Sequence, residues 1–450
     1  VKKRNQIATV FLLIVMALPM WANGSSESSD SASSDKVVLT WWTWTIPTEE
    51  DFTVLKEGFE KKYPNIELQY SVNQMDDYKQ KLQVEFASGA GPDVISMQPG
   101  SLLNKYKPFL MDLSEPVADT LDQLVPAVVD NAKKYSGANK IYLAPLGTSS
   151  TMFIYYNATY FEQAGITSIP NDLDSLLVTI EKLKKTFPNK LPLTIGLKDG
   201  WFNGDVFSLL ANMVEPGITE KADKGEIKWN DPQFVKAMEV LRKLVKLGVI
   251  DKNALGVSVY EDSIGMWADG KAVMHVNGGW AIGMLSNPSN VNEKGIPYAD
   301  RRGGRATDND IFGAFAVPNF AGGDPVVLGG IDIGLSLNKN LLKDKAKLDA
   351  ALKLLDYMLV SEGRTYETGR PGAGLIPTLK NTSLNKSIYQ DPASSAGVDA
   401  IVNTTNNDLA GPRGVTNPAV FNQMGIVVQN VVAGKDIQDE LDALQAVSEK

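Results

Sequence analysis

VVLTWWTWTIPTEEDFTVLKEGFEKKYPNIELQYSVNQMDDYKQKLQVEFASGAGPDVISM, residues 37–97, decides the fold class. Val37 to Trp44 is a β-branched and aromatic run that reads as a strand. Phe52, Leu55, Phe59 and Tyr63 then mark one face of a helix that Pro64 stops. Ile66, Leu68, Tyr70 and Val72 alternate as a second strand. Tyr78, Leu82 and Phe86 define a second helix, with Gly89 as its C-cap. Val94-Ile95-Ser96-Met97, after Pro92, is a third short strand. This strand–helix–strand–helix–strand order implies parallel strands with crossover helices, hence an α/β layered fold.

The alternation of periods continues downstream. Thr151 to Tyr156 reads as a strand, and Asp172 caps a helix whose apolar face is Leu173, Leu176, Ile180, Leu183 and Phe187. Asp231-Pro232 places an N-cap before a proline at the first helical position, and Phe234, Met238, Leu241 and Val245 run on to Gly248. Ala272 to Val276 and Phe312 to Val317 are further strands, while Ala346 to Leu359 and Asp436 to Val447 read as helices. Between those two helices, residues 369–418 are rich in Gly, Pro and Asn and predict loop-rich cover. No repeat of solenoid period is present.

At the amino end, Lys2-Lys3-Arg4 precedes an apolar run from Ile7 to Leu18, the layout of a secretory signal with Ala22 at the cleavage point. An uncleaved anchor is the alternative, although a run this short falls below the ~20 residues of a membrane-spanning helix. Asn23 to Asp35 is Ser-rich with nothing large to bury, so residues 23–36 read as a flexible tether. Removal of residues 1–22 leaves 41 basic against 53 acidic side chains. An acidic chain is a poor grip for phosphate backbones, so nucleic acid is not an expected partner.

Cysteine is absent and His275 is the only histidine. Disulfides, thiolate metal sites and thiol catalysis are therefore excluded, and Ser-His chemistry has little to work with. His275 lies in the alternating pattern Val273-Met274-His275-Val276, which predicts a structural side chain. No dinucleotide or phosphate-loop fingerprint appears, since Gly329-Gly330-Ile331-Asp332-Ile333-Gly334 has the wrong spacing. The sequence thus predicts neither a cofactor nor a metal. A pair of carboxylates suffices for glycoside hydrolysis, so a glycan-active hydrolase remains the alternative from another class.

Trp41-Trp42-Thr43-Trp44 holds three of the eight tryptophans at the carboxyl end of the first strand. Ligands bind at that end of strands in open α/β sheets. Flat apolar rings with one donor suit a ligand that is apolar on its faces and hydroxylated on its edges, as a sugar is. Core filling is the other reading of the same rings.

Several separated blocks then carry a resemblance. Phe59 to Ile66 (FEKKYPNI) and Tyr78 to Val94 (YKQKLQVEFASGAGPDV) match early helix-to-strand corners. Tyr142 to Ile166 (YLAPLGTSSTMFIYYNATYFEQAGI) and Gly270 to Trp280 (GKAVMHVNGGW) match the middle of the chain. Ser361-Glu362 with Gly374-Leu375-Ile376-Pro377, and Ala433 through Leu441, match its end. In this order the blocks resemble bacterial extracellular solute-binding proteins of the carbohydrate-binding group, the maltose-binding-protein-like subunits of ABC sugar importers. Asp172-Leu173 stands where relatives often have Thr-Trp, and Asn23 stands where lipid-anchored relatives carry cysteine.

The resemblance implies a two-lobed α/β periplasmic-binding-protein fold with a hinge and a ligand cleft between the lobes. It places residues 37–146 with 312–343 in lobe 1, and 147–311 with 344–450 in lobe 2. It implies a non-enzymatic, monomeric, periplasmic or secreted subunit without lipid anchor, which binds a carbohydrate and docks on membrane permease subunits of an importer. The ligand-contacting residues it implies are Trp280, through the Gly-Gly-Trp block, with Trp44, Trp42, Gln98, Ser149, Ser150, Trp201, Gly330, Asp332 and Arg370. Trp41 falls to core packing and Asp93 to bracing its turn. A polyamine is the rival ligand, because aromatic walls with acidic groups also hold cations.

Overall fold

The computed structural model describes residues 36–450 except 47–48, 74, 138, 287–309, 367–373, 385, 387–388, 390 and 408. The expected signal, nearly all of the tether and Arg370 lie outside the described residues. The strands are β1 (Val37–Thr43), β2 (Ile66–Val72), β3 (Val94–Met97), β4 (Ala144–Thr151), β5 (Phe153–Asn157), β6 (Leu191–Thr194), β7 (Ala272–Asn277), β8 (Phe312–Ala316), β9 (Leu328–Leu337) and β10 (Ile376–Pro377). They form a six-stranded sheet of order β10-β4-β9-β3-β1-β2 and a four-stranded sheet of order β6-β7-β5-β8.

The first sheet follows from the alternation in its opening strands. β1 runs parallel to β2 from Val37↔Ile66 to Thr43↔Val72, and parallel to β3 at Trp41↔Val94. Leu39 and Trp41 point to one face, where they are fully buried with Phe52, Leu55 and Phe59 of the Glu49–Lys62 helix. Trp41 meets Phe52 edge-on at 5.1 Å, and its indole N–H donates to Ser96 Oγ at 3.1 Å. The other face packs Ile95 and Met97 against Tyr78, Leu82 and Phe86 of the Met75–Ala87 helix. Asp93 braces the corner as expected: its Oδ2 accepts from the Thr40 amide and hydroxyl, both at 2.9 Å, and from Lys347 Nζ at 3.2 Å.

The second sheet has its own core. Asp172 caps the Leu173–Thr186 helix by a capping box with Ser175, a device worth ~1 kcal/mol. Leu176, Ile180 and Leu183 of that helix are buried, as the spacing predicts. The Gly200–Val214 helix is buried along nearly its whole length. It packs against the Pro232–Lys246 and Pro418–Ala433 helices, the latter approaching so closely that a Cβ on Gly425 would lie 2.5 Å from the Gly200 carbonyl.

Long-range pairing corrects the expected boundaries. The strand expected over residues 151–156 is two strands, and the chain leaves the first sheet after Thr151 to enter the second at Phe153. Residues 312–343 do not stay together: Phe312–Ala316 pairs with β5 in the second sheet, whereas Leu328–Leu337 pairs with β3 and β4 in the first. The Lys345–Leu359 helix, expected in lobe 2, buries Ala351, Leu354, Leu355 and Met358 in the core of the first sheet. Ile376–Pro377 adds to the first sheet beside β4. Residues 369–418 also hold a 16-residue helix, Pro392–Asn407, which the loop-rich expectation missed.

Candidate functional site

The first contributor is a bulge in β9. Gly147 and Thr148 stand opposite Ile333 and Ile331, so Asp332 is the extra residue between them. A bulge bends its strand and re-aims the side chain it carries. Asp332 Oδ1 here accepts from Arg413 Nη1 at 2.6 Å.

The second contributor is Asp205, fully buried inside the Gly200–Val214 helix. Its two oxygens accept from Arg413 Nε at 3.1 and 3.0 Å, and Oδ2 lies 2.9 Å from Nη2. Arg413 sits between the Pro392–Asn407 and Pro418–Ala433 helices, so one guanidinium ties a helix of the second sheet's layer to a strand of the first. Burial pushes the Asp205 carboxyl above its ordinary pKa, against the opposing pull of Arg413 and Lys79. Burial also opposes the Arg413 charge, but Asp205 and Asp332 outweigh it and hold the guanidinium ionised.

Aromatic rings surround this triad. The Arg413 guanidinium carbon lies 4.0 Å from the Trp280 ring centroid and 5.8 Å from that of Trp201. Trp201 and Trp280 are 6.0 Å apart, and Tyr260 lies nearly parallel to Trp201 at 5.9 Å. Trp280 follows β7 in the Gly279–Leu285 turn, and the preceding Gly278 carbonyl accepts from Tyr155 Oη at 2.8 Å. Only 8% of Trp280 is exposed, and its buried Nε1 has no partner among the described residues.

A second aromatic group forms at the end of β1. Trp44 is half-buried and meets Tyr78 edge-on at 4.7 Å, and Trp42 packs on the same cluster. Gln98, just past β3, is partly exposed, and its carbonyl accepts from the Leu103 amide at 3.2 Å. Lys79 follows Tyr78 and is close enough to act on Asp205.

The resemblance makes Ser149 and Ser150 ligand contacts, yet both are buried inside β4, because the strand runs on to Thr151. Ser150 Oγ is spent on Thr405 Oγ1 at 2.5 Å, while Ser149 Oγ has no partner among the described residues. Gly330 stands opposite Ser149 with φ of 125°, and a Cβ there would lie 3.0 Å from Asn131 Nδ2. The structure therefore gathers Trp201, Trp280 and Asp332 into one cluster and Trp42 and Trp44 into another.

Sequence reasoning missed Asp205, Tyr260 and Arg413. A carboxylate in the apolar run Phe202-Asn203-Gly204-Asp205-Val206-Phe207 was the available signal, since a buried acid needs a partner. Gly411-Pro412-Arg413-Gly414 offers the same setting as Gly369-Arg370-Pro371-Gly372, so loop context could not choose between the two arginines. His275 is structural as expected: it is fully buried, with Nδ1 2.8 Å from Ser263 Oγ, and burial pushes its pKa down to about 3.

No helix among the described residues is long and apolar enough to cross a membrane. The sequence profile described as "Bacterial extracellular solute-binding protein" matches residues 55–396. An uncharacterized ABC transporter extracellular-binding protein of Pyrococcus horikoshii is 27% identical over 252 residues, 55% of this chain and 58% of that one. The chain thus spans less than two thirds of that relative's length. The multiple sugar-binding protein of Streptococcus mutans is 24% identical over 371 residues, covering 79% of this chain and 78% of its own. Among solved structures, a chitin oligosaccharide binding protein superposes with a TM-score of 0.72 at 21% identity, covering 92% of this chain and 98% of that one. The likeness shows a shared two-lobed fold.

Proposed function

Because the chain belongs to the bacterial extracellular solute-binding protein family, we propose that it is the extracytoplasmic substrate-binding subunit of an ABC importer. Its ligand is a neutral mono- or oligosaccharide held between the two sheets' lobes. One observation carries this reading: the Trp201, Tyr260 and Trp280 rings surround an Arg413–Asp205–Asp332 network that draws one residue from each sheet's layer. The partly exposed Trp201 and Tyr260 rings match the apolar faces of a pyranose, and a fixed guanidinium beside carboxylates matches its hydroxyls. The relatives named for multiple sugars and chitin oligosaccharide support the same ligand class.

The polyamine alternative needs acids free to face a cation. Asp205 and Asp332 both spend their charge on Arg413, and Lys79 adds a further positive field, which disfavours it. A hydrolase needs one carboxylic acid and one carboxylate set apart across a scissile bond. Two acids bound to one guanidinium do not supply that pair, which supports binding without chemistry. Contacts from both lobes favour closure around the ligand, a hinge motion that would signal occupancy to the permease. A secreted or periplasmic monomer completes the proposal.

Native mass spectrometry of the purified chain tests it. A saccharide mass carried through purification is the expected result. A co-purifying polyamine, amino acid or metal would overturn the carbohydrate assignment.

A further inference from the structure

We propose that Trp280 serves recognition as a positioning residue: its indole holds the Arg413 guanidinium, and Arg413 makes the polar contact with the sugar. The inference rests on the reading of this cleft as a saccharide site, and it reverses the role that the Gly-Gly-Trp block suggests. A platform for pyranose stacking must present an open ring face. Trp280 presents little: it is 8% exposed and carries the guanidinium 4.0 Å from its centroid. Its six-membered ring also backs onto Gly278, where any Cβ would overlap the ring carbons. Gly374 lies equally close to the Trp280 carbonyl, so glycine makes room for the indole at Gly278 and for the Trp280 backbone at Gly374.

The guanidinium is fixed on every side that the protein reaches. Asp205 takes the Nε and Nη2 edge and Asp332 takes Nη1, while the guanidinium carbon lies over the Trp280 ring. Of the five N–H groups of an arginine, one on each terminal nitrogen is left without a partner among the described residues. These two N–H groups can donate to hydroxyl oxygens, and a guanidinium already held in place spares the ordering cost of a free side chain.

A double-mutant cycle on the full chain tests the inference, with affinity measured by calorimetry against maltotriose, xylotriose, chitotriose and raffinose. Trp280→Leu and Arg413→Lys should each weaken the best-bound probe by about tenfold or more, while the double variant stays within about threefold of Arg413→Lys alone. Losses that multiply would show an independent contact by the indole and overturn the inference, leaving the saccharide reading in place. Asp205→Asn, which keeps the Trp280 ring, should reproduce the Arg413→Lys loss; an unchanged affinity also overturns it. Should Trp280→Leu fail to fold, Trp280→Phe replaces it and should lose less than about threefold, because a smaller ring still carries a guanidinium. A wild-type chain that binds none of the four probes overturns the inference together with the reading beneath it.

Discussion

Lowering the pH from about 7.5 to about 5 asks the second sheet to keep its histidine neutral. His275 is fully buried in β7, its Nε2 has no partner among the described residues, and burial pushes its pKa down to about 3. In the unfolded chain the same ring titrates near ~6.5. Because the folded pKa is depressed, the unfolded chain takes up a proton that the folded protein refuses once the pH falls below ~6.5. Stability is therefore complete above that value and is lost as the pH drops toward about 3. The loss is about 2 kcal/mol at about pH 5, against a total stability of ~5–15 kcal/mol. Asp205 works in the opposite sense, since its raised pKa lets the folded state accept a proton first. Two assays check the reasoning. The ring carbon signal of the single histidine, labelled with carbon-13, should not move over this range. The wild type should also lose about 2 kcal/mol more than His275→Asn in urea melts at the two pH values. A ring signal that titrates near ~6.5, or equal losses in both proteins, would refute it.

Other perturbations read other parts of the account. Trp44→Ala should weaken saccharide affinity by about tenfold in calorimetry, and an unchanged affinity removes that ring from the site. Gly196→Ala places a Cβ 2.6 Å from the Val259 amide nitrogen and should cost ~1–3 kcal/mol in a urea melt; an unshifted midpoint would mean the chain yields there freely. Val206→Ile should raise stability by ~0.5–1 kcal/mol, because Val206 lines an apolar cavity of about 40 Å³ with Ile154, Leu210 and Val276; a lowered midpoint contradicts that. Lys134 of the Pro126–Ser136 helix meets Glu220 of the Ile218–Asp223 helix at 2.7 Å, joining the two lobes. Lys134→Glu should weaken saccharide affinity about two- to fivefold at low salt, and adding Glu220→Lys should restore it.

Local chemistry was legible in the sequence; pairing over distance was not. The Asp172 cap, the Asp231-Pro232 start and the alternation of residues 66–72 each act within a few residues, and each stands in the structure. The partner of Phe312–Ala316 is set by β5, some 150 residues earlier, and nothing local marks which sheet a short apolar strand joins. The Pro392–Asn407 helix reads PASSAGVDAIVNTTNN, whose small and polar residues leave too thin an apolar stripe to announce it. The site divides the same way. Its tryptophans were visible as residue types, but Arg413 reaches Asp205 and Asp332 across 208 and 81 residues, and a bulge rather than any motif aims Asp332.

The most direct measurement is calorimetric titration of the purified chain with neutral oligosaccharides, polyamines and amino acids in parallel, with tryptophan emission followed alongside. Heat and an emission shift from at least one neutral saccharide, and from neither of the other classes, is the outcome this account predicts. Silence across the sugars together with saturable binding of a polyamine or an amino acid would contradict it.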